Sequence, residues 1–211
     1  MFNVNNVVRG NILGENMHPV DLAIFKKFVI RLNDNLPYAG RAATRIAMAE
    51  VFNEVGYKHG AEIGVRHGVY SLVLCEKIPG LKLLCVDPWA PYRGNTTERM
   101  EATYQGAKTR LAAYDATLIR KTSMEAVKDV PDGSLDFVYI DAMHEFDPVM
   151  MDILHWAPKV RPGGIIAGHD YCWYYQGGVV QAVDAYVRAH NILTWYVTQL
   201  DKEPSWLWVN A

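Results

Sequence analysis

Four short stretches of this chain set glycines, acids and histidines at spacings that could do chemistry. The first is Ala61-Glu-Ile-Gly-Val-Arg-His-Gly-Val-Tyr-Ser. Gly64 and Gly68 allow backbone to pass close to a ligand, and the helix expected after them adds unpaired N–H donors, with Val65 and Arg66 on the loop between. A carboxylate at Glu62, beside that loop, would repel a pyrophosphate and attract ammonium and sulfonium charges. A dinucleotide loop reads G-x-G-x-x-G, whereas Arg66 stands where the central glycine would be. Glycines that merely turn a strand into a helix are the plain alternative.

The second stretch, Leu83-Leu-Cys-Val-Asp87-Pro-Trp, ends an apolar run in an acid about twenty residues after the glycine loop. A carboxylate there can accept hydrogen bonds from both hydroxyls of a ribose. Pro88 stops the strand, and Trp89 is either a platform for adenine or simple packing. Acids gripping a cationic tail and a sugar diol describe S-adenosylmethionine. Thr122-Ser-Met-Glu125 opens a short helix, where Ser123, beside Met124, is either the cap or a partner for the adenine edge. Beyond two later strand ends lie Asp141 with His144, and His169 with Asp170, so two imidazoles and two carboxylates should face one crevice. A histidine with a pKa near neutrality suits removal of a hydroxyl proton, and His144 and His169, with Asp141, are the catalytic candidates, unranked. For each histidine the plain alternative is orienting a neighbouring carboxylate.

The elements that must position these groups alternate. Apolar runs at Ala61–Val65, Leu83–Val86, Thr117–Arg120, Phe137–Ile140 and Gly164–Ala167 read as strands. Helical patterns fill the gaps near Tyr70–Glu76, Glu98–Ala112, Met124–Val127, Pro148–Trp156 and Val179–Ala189, the signature of βαβ units. Gly163-Gly164 is expected to turn the chain into the fifth of these strands. Leu193–Thr198 and Ser205–Val209 are β-rich and joined by a segment too short for a crossover helix, so they should form an antiparallel hairpin. Upstream, Asp21–Leu32 and Arg41–Val55 carry helical periodicity, and residues 1–20 read as an Asn-rich arm. The domain division expected is 1–57 for arm and helices packing on the core, and 58–211 for the core itself.

With 211 residues the chain suits one α/β domain. A net charge of -2 and the absence of a Lys/Arg run argue against nucleic acid as partner. Three cysteines without a CxxC pair indicate neither a disulfide framework nor a structural zinc site. No secretory signal or membrane-length apolar run is visible, so a cytoplasmic protein is expected, with no membrane partner.

Glu62-x-Gly64-x-x-x-Gly68, Asp87-Pro-Trp89, Phe137-Val-Tyr-Ile-Asp141-Ala-Met-His144 and Arg161-Pro-Gly-Gly-Ile-Ile-Ala-Gly-His169-Asp170-Tyr171 resemble the class I methyltransferases that depend on S-adenosylmethionine. The likeness is strongest to a small group ending its core with Gly-Gly…Gly-His-Asp-Tyr. It spans about residues 58–175 and departs from many members at Arg66 and at Ala142-Met143. It implies a Rossmann-like three-layer sandwich with a seven-stranded, mostly parallel sheet and an antiparallel carboxyl-terminal hairpin. The resemblance does not fix the acceptor; the strand-end acids and the His-rich crevice lead to the expectation of O-methylation of a small-molecule hydroxyl, of sugar or natural-product type. Related enzymes hold a divalent metal with acids at these strand ends, which would make Asp141, Asp170 and His169 ligands for Mg2+ or a similar ion. The aromatic loops Trp89–Gly94 and Tyr171–Gly178 suit lids, and these loops or the amino-terminal arm could join two subunits. Two other classes stay open: an NAD-dependent oxidoreductase, and a non-catalytic binding or assembly module.

Overall fold

A computed structural model describes residues 17–30 and 36–211. Most of the arm therefore lies outside the described residues. Eight strands form one sheet in the order β1-β7-β8-β6-β5-β2-β3-β4. They are β1 (Tyr38–Ala39), β2 (His59–Ile63), β3 (Lys82–Val86), β4 (Ala116–Ile119), β5 (Leu135–Ile140), β6 (Val160–Gly168), β7 (Tyr196–Val197) and β8 (Trp206–Val209). The run from β4 to β6 is wholly parallel, and β8 is antiparallel to both β6 and β7. The expected hairpin is present, with Tyr196 opposite Leu207 and Val197 opposite Trp206.

Helices cover both faces: α1 (Pro19–Phe28), α2 (Arg45–Glu54), α3 (Val69–Lys77), α4 (Thr97–Leu111), α5 (Ser123–Ala126), α6 (Phe146–Trp156) and α7 (Gly178–Ala189). Strand β5 shows why two layers are needed, because successive side chains point to opposite faces. Phe137 and Tyr139 join the core built with Met48, Phe52, Leu74 and Leu111 of α2, α3 and α4. Val138 and Ile140 join the other core, with Ala126, Ile153, Trp156 and Val183 of α5, α6 and α7. A strand buried on both faces is apolar throughout, which is why these runs read as unbroken hydrophobic segments.

Three expectations need correction. The sheet has eight strands rather than seven, because Tyr38–Ala39 adds parallel to β7. A two-residue strand carries no periodicity of its own; it is held by tertiary contacts, with Tyr38 N–H donating to the Trp195 carbonyl at 2.9 Å and rings of Phe25, Tyr38 and Tyr196 packed together. Gly163-Gly164 does not precede the last parallel strand but lies inside β6, at an irregularity in its pairing with β5. Gly163 takes φ +75, and a Cβ on Gly164 would meet Arg161 O at 2.9 Å, so the glycines form a bulge rather than a turn. The first helix ends at Phe28, where Val29 adopts a left-handed conformation, and residues 31–35 lie outside the described residues. No helix among the described residues is long and apolar enough to cross a membrane.

Candidate active site

Strands β3, β2, β5 and β6 end on one edge, and the main-chain ladder continues past their ends. Asp87 donates its N–H to Ile119 O at 3.2 Å, Gly64 to Val86 O at 2.8 Å, Asp141 to Ile63 O at 2.7 Å and His169 to Ile140 O at 2.9 Å. These bonds pin Asp87, Asp141 and His169 to the rim before any side chain is considered.

The glycine loop between β2 and α3 requires its glycines. Gly64 has φ +91, and a Cβ there would run into the Asp141 carbonyl and stand 2.7 Å from Ala142 Cα. Gly68, at φ +68, starts α3. Val65 is buried, while Arg66, at φ 48, is exposed. The Asp87 carboxylate turns back onto this loop: Oδ2 accepts the N–H groups of Val65 at 3.1 Å and Arg66 at 2.9 Å, and Oδ1 accepts Trp89 N–H at 2.7 Å. An ionised carboxylate offers about four lone-pair positions, so capacity remains on Oδ1 for a further donor. Pro88 is exposed. Trp89 is 2% exposed, its indole N–H donates to Arg66 O at 2.9 Å and its ring meets Tyr104 edge-on. This ring locks the loop rather than offering an open face.

Glu62 lies inside the fold. Its carboxylate accepts a hydrogen bond from Ser71 Oγ on α3. Burial pushes it up to about 8, the Ser71 bond opposing and the Asp141 charge adding to the rise. Glu62 is thus held well above the ordinary carboxylate range, and a cation arriving beside it would favour its ionised form.

Ser123 is not the helix cap. Thr122 caps α5 in a reciprocal box with Glu125. Glu125 stands three residues after Thr122, the spacing of a capping box, which singles out Thr122 over the adjacent Ser123. Ser123 instead donates to Asp152 and accepts from Trp156 Nε1 at 2.8 Å, with Met124 half-buried on the same turn. Asp152, only 4% exposed, is raised to about 6 by burial, which the Ser123 bond opposes.

Beyond β5 and β6 the acids and imidazoles converge. Asp170, at φ 58, swings its carboxylate back so that Oδ2 lies 3.0 Å from His144 Nε2 and 3.3 Å from His169 Nδ1. Asp141 flanks both rings, with Oδ1 3.9 Å from His144 Nε2 and Oδ2 3.7 Å from His169 Nδ1. The carboxylates Asp141 and Asp170 lift His144 to about 9. Burial would lower His169, but Asp170 and the Asp141 charge outweigh it and the net shift is upward. Burial would likewise raise Asp170, and the two imidazoles instead hold it well below the usual carboxylate range. Asp141, His144 and Asp170 each offer one donor atom, all within 4.8 Å of one another, a spacing that could receive a metal ion. The compact triplet contains His144 where the sequence reading put His169.

The loops diverge in character. Arg93 in the Trp89–Gly94 segment pairs with Glu145 next to His144, tying that loop across the crevice mouth. Trp173, in the Tyr171–Gly178 segment, is 75% exposed. Ser71 and Asp152 went unnoticed in sequence. Ser71 carries no distinguishing pattern, but Asp152 sits among Val149, Ile153 and Trp156 on the apolar face of α6, an acid at a core position that periodicity could have flagged.

A family profile described as a methyltransferase domain matches residues 61–171. The Sinorhizobium fredii protein y4gI is 26% identical over 115 residues, which is 52% of this chain and 12% of that protein; the match spans a small part of its relative. The O-methyltransferase TomG from Streptomyces achromogenes, involved in tomaymycin synthesis and solved in complex with SAM, is 14% identical, with 100% of both chains covered and a TM-score of 0.60. An O-methyltransferase from Bacillus cereus, solved in complex with SAH, is also 14% identical, covering 98% of this chain and 96% of its own at a TM-score of 0.59. At such identities the shared property is the architecture.

Proposed function

The chain belongs to the family of methyltransferase domains, and from that premise we propose that it moves the methyl group of S-adenosylmethionine to a hydroxyl of a small-molecule acceptor, of sugar or natural-product type. The observation that carries this reading is the cluster of Asp141, His144, His169 and Asp170 beside the glycine loop. In methyl transfer the acceptor oxygen attacks the methyl carbon as the carbon–sulfur bond breaks, and sulfur keeps the electron pair. The chain's work is placement, exclusion of water and acceptance of the hydroxyl proton.

His169 is the base in this scheme. Its Nδ1 faces Asp170, which fixes that nitrogen as the protonated one and leaves Nε2 to take the acceptor's proton, the logic of a carboxylate-oriented imidazole. His144 is raised to about 9 and holds its proton at neutral pH, so it serves as a positive partner for Asp170. Asp87 would receive the ribose hydroxyls while keeping Val65 and Arg66 in place.

Calorimetric titration with S-adenosylhomocysteine tests the donor site. Removing Asp87 deletes a charge-assisted contact worth roughly 1.5–3 kcal/mol, so Asp87→Ala should bind about tenfold or more weakly. Undiminished affinity would overturn this placement. Thermal protection by NAD, with none by S-adenosylhomocysteine, would move the chain to the nicotinamide class instead.

A second reading rests on the triplet of donor atoms at Asp141, His144 and Asp170. Carboxylate oxygens with one imidazole fit a divalent ion of the Mg2+ or Mn2+ kind. Such an ion supplies Lewis acidity that orients and acidifies an acceptor oxygen. Activity measured before and after EDTA separates the two readings. The histidine base predicts an unchanged rate, whereas loss of more than about tenfold, restored by MgCl2 or MnCl2, assigns the triplet to a metal.

A further inference from the structure

The guanidinium of Arg45 makes no ion pair among the described residues, and its charge acts on Glu62 and His169 at this edge. Arg45 opens α2, where its backbone N–H donates to Asp201 Oδ2 at 2.7 Å and Thr44 caps the first turn. Its side chain lies over the Tyr70 ring, with Cζ 5.3 Å from the centroid, and Tyr70 hydroxyl donates to the Arg45 carbonyl at 3.0 Å. Tyr70 is 4% exposed and tilts against Tyr139 at 4.4 Å, and the Tyr139 ring lies 6.3 Å from that of His169. A floor of rings thus runs from α2 to the imidazole proposed as base. The guanidinium's field reaches Glu62, Tyr70, Tyr139 and His169 across that floor.

A guanidinium keeps its charge in any protein environment, and its planar fork of donors matches a carboxylate with two parallel hydrogen bonds. Stacking on an aromatic face and a main-chain clamp pre-order that fork, so less freedom is lost when an anion arrives. We propose that Arg45, seated on Tyr70, is the carboxylate-binding element of the crevice, receiving either the amino-acid tail of the methyl donor or a carboxylate on the acceptor. This rests on the chain using an S-adenosyl donor.

Calorimetry on the wild type, Arg45→Gln and Arg45→Lys decides it, with S-adenosylhomocysteine and 5′-methylthioadenosine as probes. The second shares the nucleoside and thioether but lacks the amino-acid tail. If the donor supplies the carboxylate, Arg45→Gln weakens S-adenosylhomocysteine at least tenfold, leaves methylthioadenosine unchanged, and Arg45→Lys recovers part of the loss. If the acceptor supplies it, both nucleosides bind Arg45→Gln normally. The wild type saturated with S-adenosylhomocysteine then prefers 4-hydroxybenzoate to phenol, a preference absent from Arg45→Gln. Equal weakening of both nucleosides would mark Arg45 as a packing residue, and no change in either pair would also overturn the proposal. A wild type that binds neither nucleoside refutes the donor assignment itself, and the subsite falls with it.

Discussion

An Asp170→Asn variant is expected to lose about 10²–10⁴-fold in methyl-transfer rate, the range of a disabled general base. One oxygen of Asp170 serves both imidazoles, and an amide at that position no longer carries the charge that orients His169 and sustains the charge on His144. Both rings should then fall toward the ordinary histidine value, which imidazole NMR resonances followed against pH would show directly. As the proposed base, His169 would act only when unprotonated, and its shift is upward. In the wild type the rising limb of kcat/KM against pH should therefore lie above pH 6.5, and in Asp170→Asn it should move down while the plateau falls. A variant with the wild-type rate, or an unmoved limb, would remove His169 and Asp170 from the proton transfer.

The same cluster should make stability depend on pH in a defined direction. His144 is raised from 6.5 to about 9, so its contribution is complete below about 6.5 and is lost as pH rises through about 9. Asp170 is lowered from 3.8, so its contribution is present above that value and lost as pH falls through its depressed one. The difference in melting temperature between wild type and Asp170→Asn should be greatest between about pH 4 and 6.5 and should shrink above pH 9.

Gly64→Ala should be the most damaging single methyl addition at the rim. Its φ of +91 disfavours any side chain, and the new Cβ would strike backbone at Asp141 and Ala142, which cannot rotate aside as a flexible side chain would. Left-handed strain of about 1–2 kcal/mol joined to overpacking of about 1–3 kcal/mol gives roughly 3 kcal/mol, or a fall of about 6–12 °C in melting temperature for a chain of this size. Gly80→Ala is the control: it shares a positive φ, +77, but nothing lies within 4 Å of the added Cβ. It should cost only about 1 kcal/mol. Equal melting temperatures for the two variants would show that the Gly64–Asp141 approach is not needed. Because Asp141 moves with the clash, S-adenosylhomocysteine affinity should fall in Gly64→Ala and persist in Gly80→Ala.

Much of the scaffold was legible because its signals are local. A parallel strand buried on both faces is an unbroken apolar run, and the residue that breaks it marks the carboxyl end. Asp87 and Asp141 could thus be set on one rim from order alone, and the short link before Ser205–Val209 sufficed for the reversed strand. The short strand Tyr38–Ala39 was not legible, since two residues acquire their pairing only when Phe25 and Tyr196 pack beside them.

What the chain's order determined by itself was which residues reach the crevice: two acids, two histidines beside further acids, and a loop requiring glycine. What those side chains touch was decided by the tertiary structure alone. The sheet order sets β2 between β3 and β5, so Asp87 meets the N–H groups of Val65 and Arg66, while Ser71 of the following helix covers Glu62. The left-handed turn at Asp170 makes one carboxylate the partner of two rings that lie 25 residues apart in sequence. Arg45 comes to Tyr70 only because α2 packs against α3. Propensity and periodicity act over a few residues, whereas hydrogen bonds and charge act over a few ångströms, and only folding turns one kind of neighbourhood into the other.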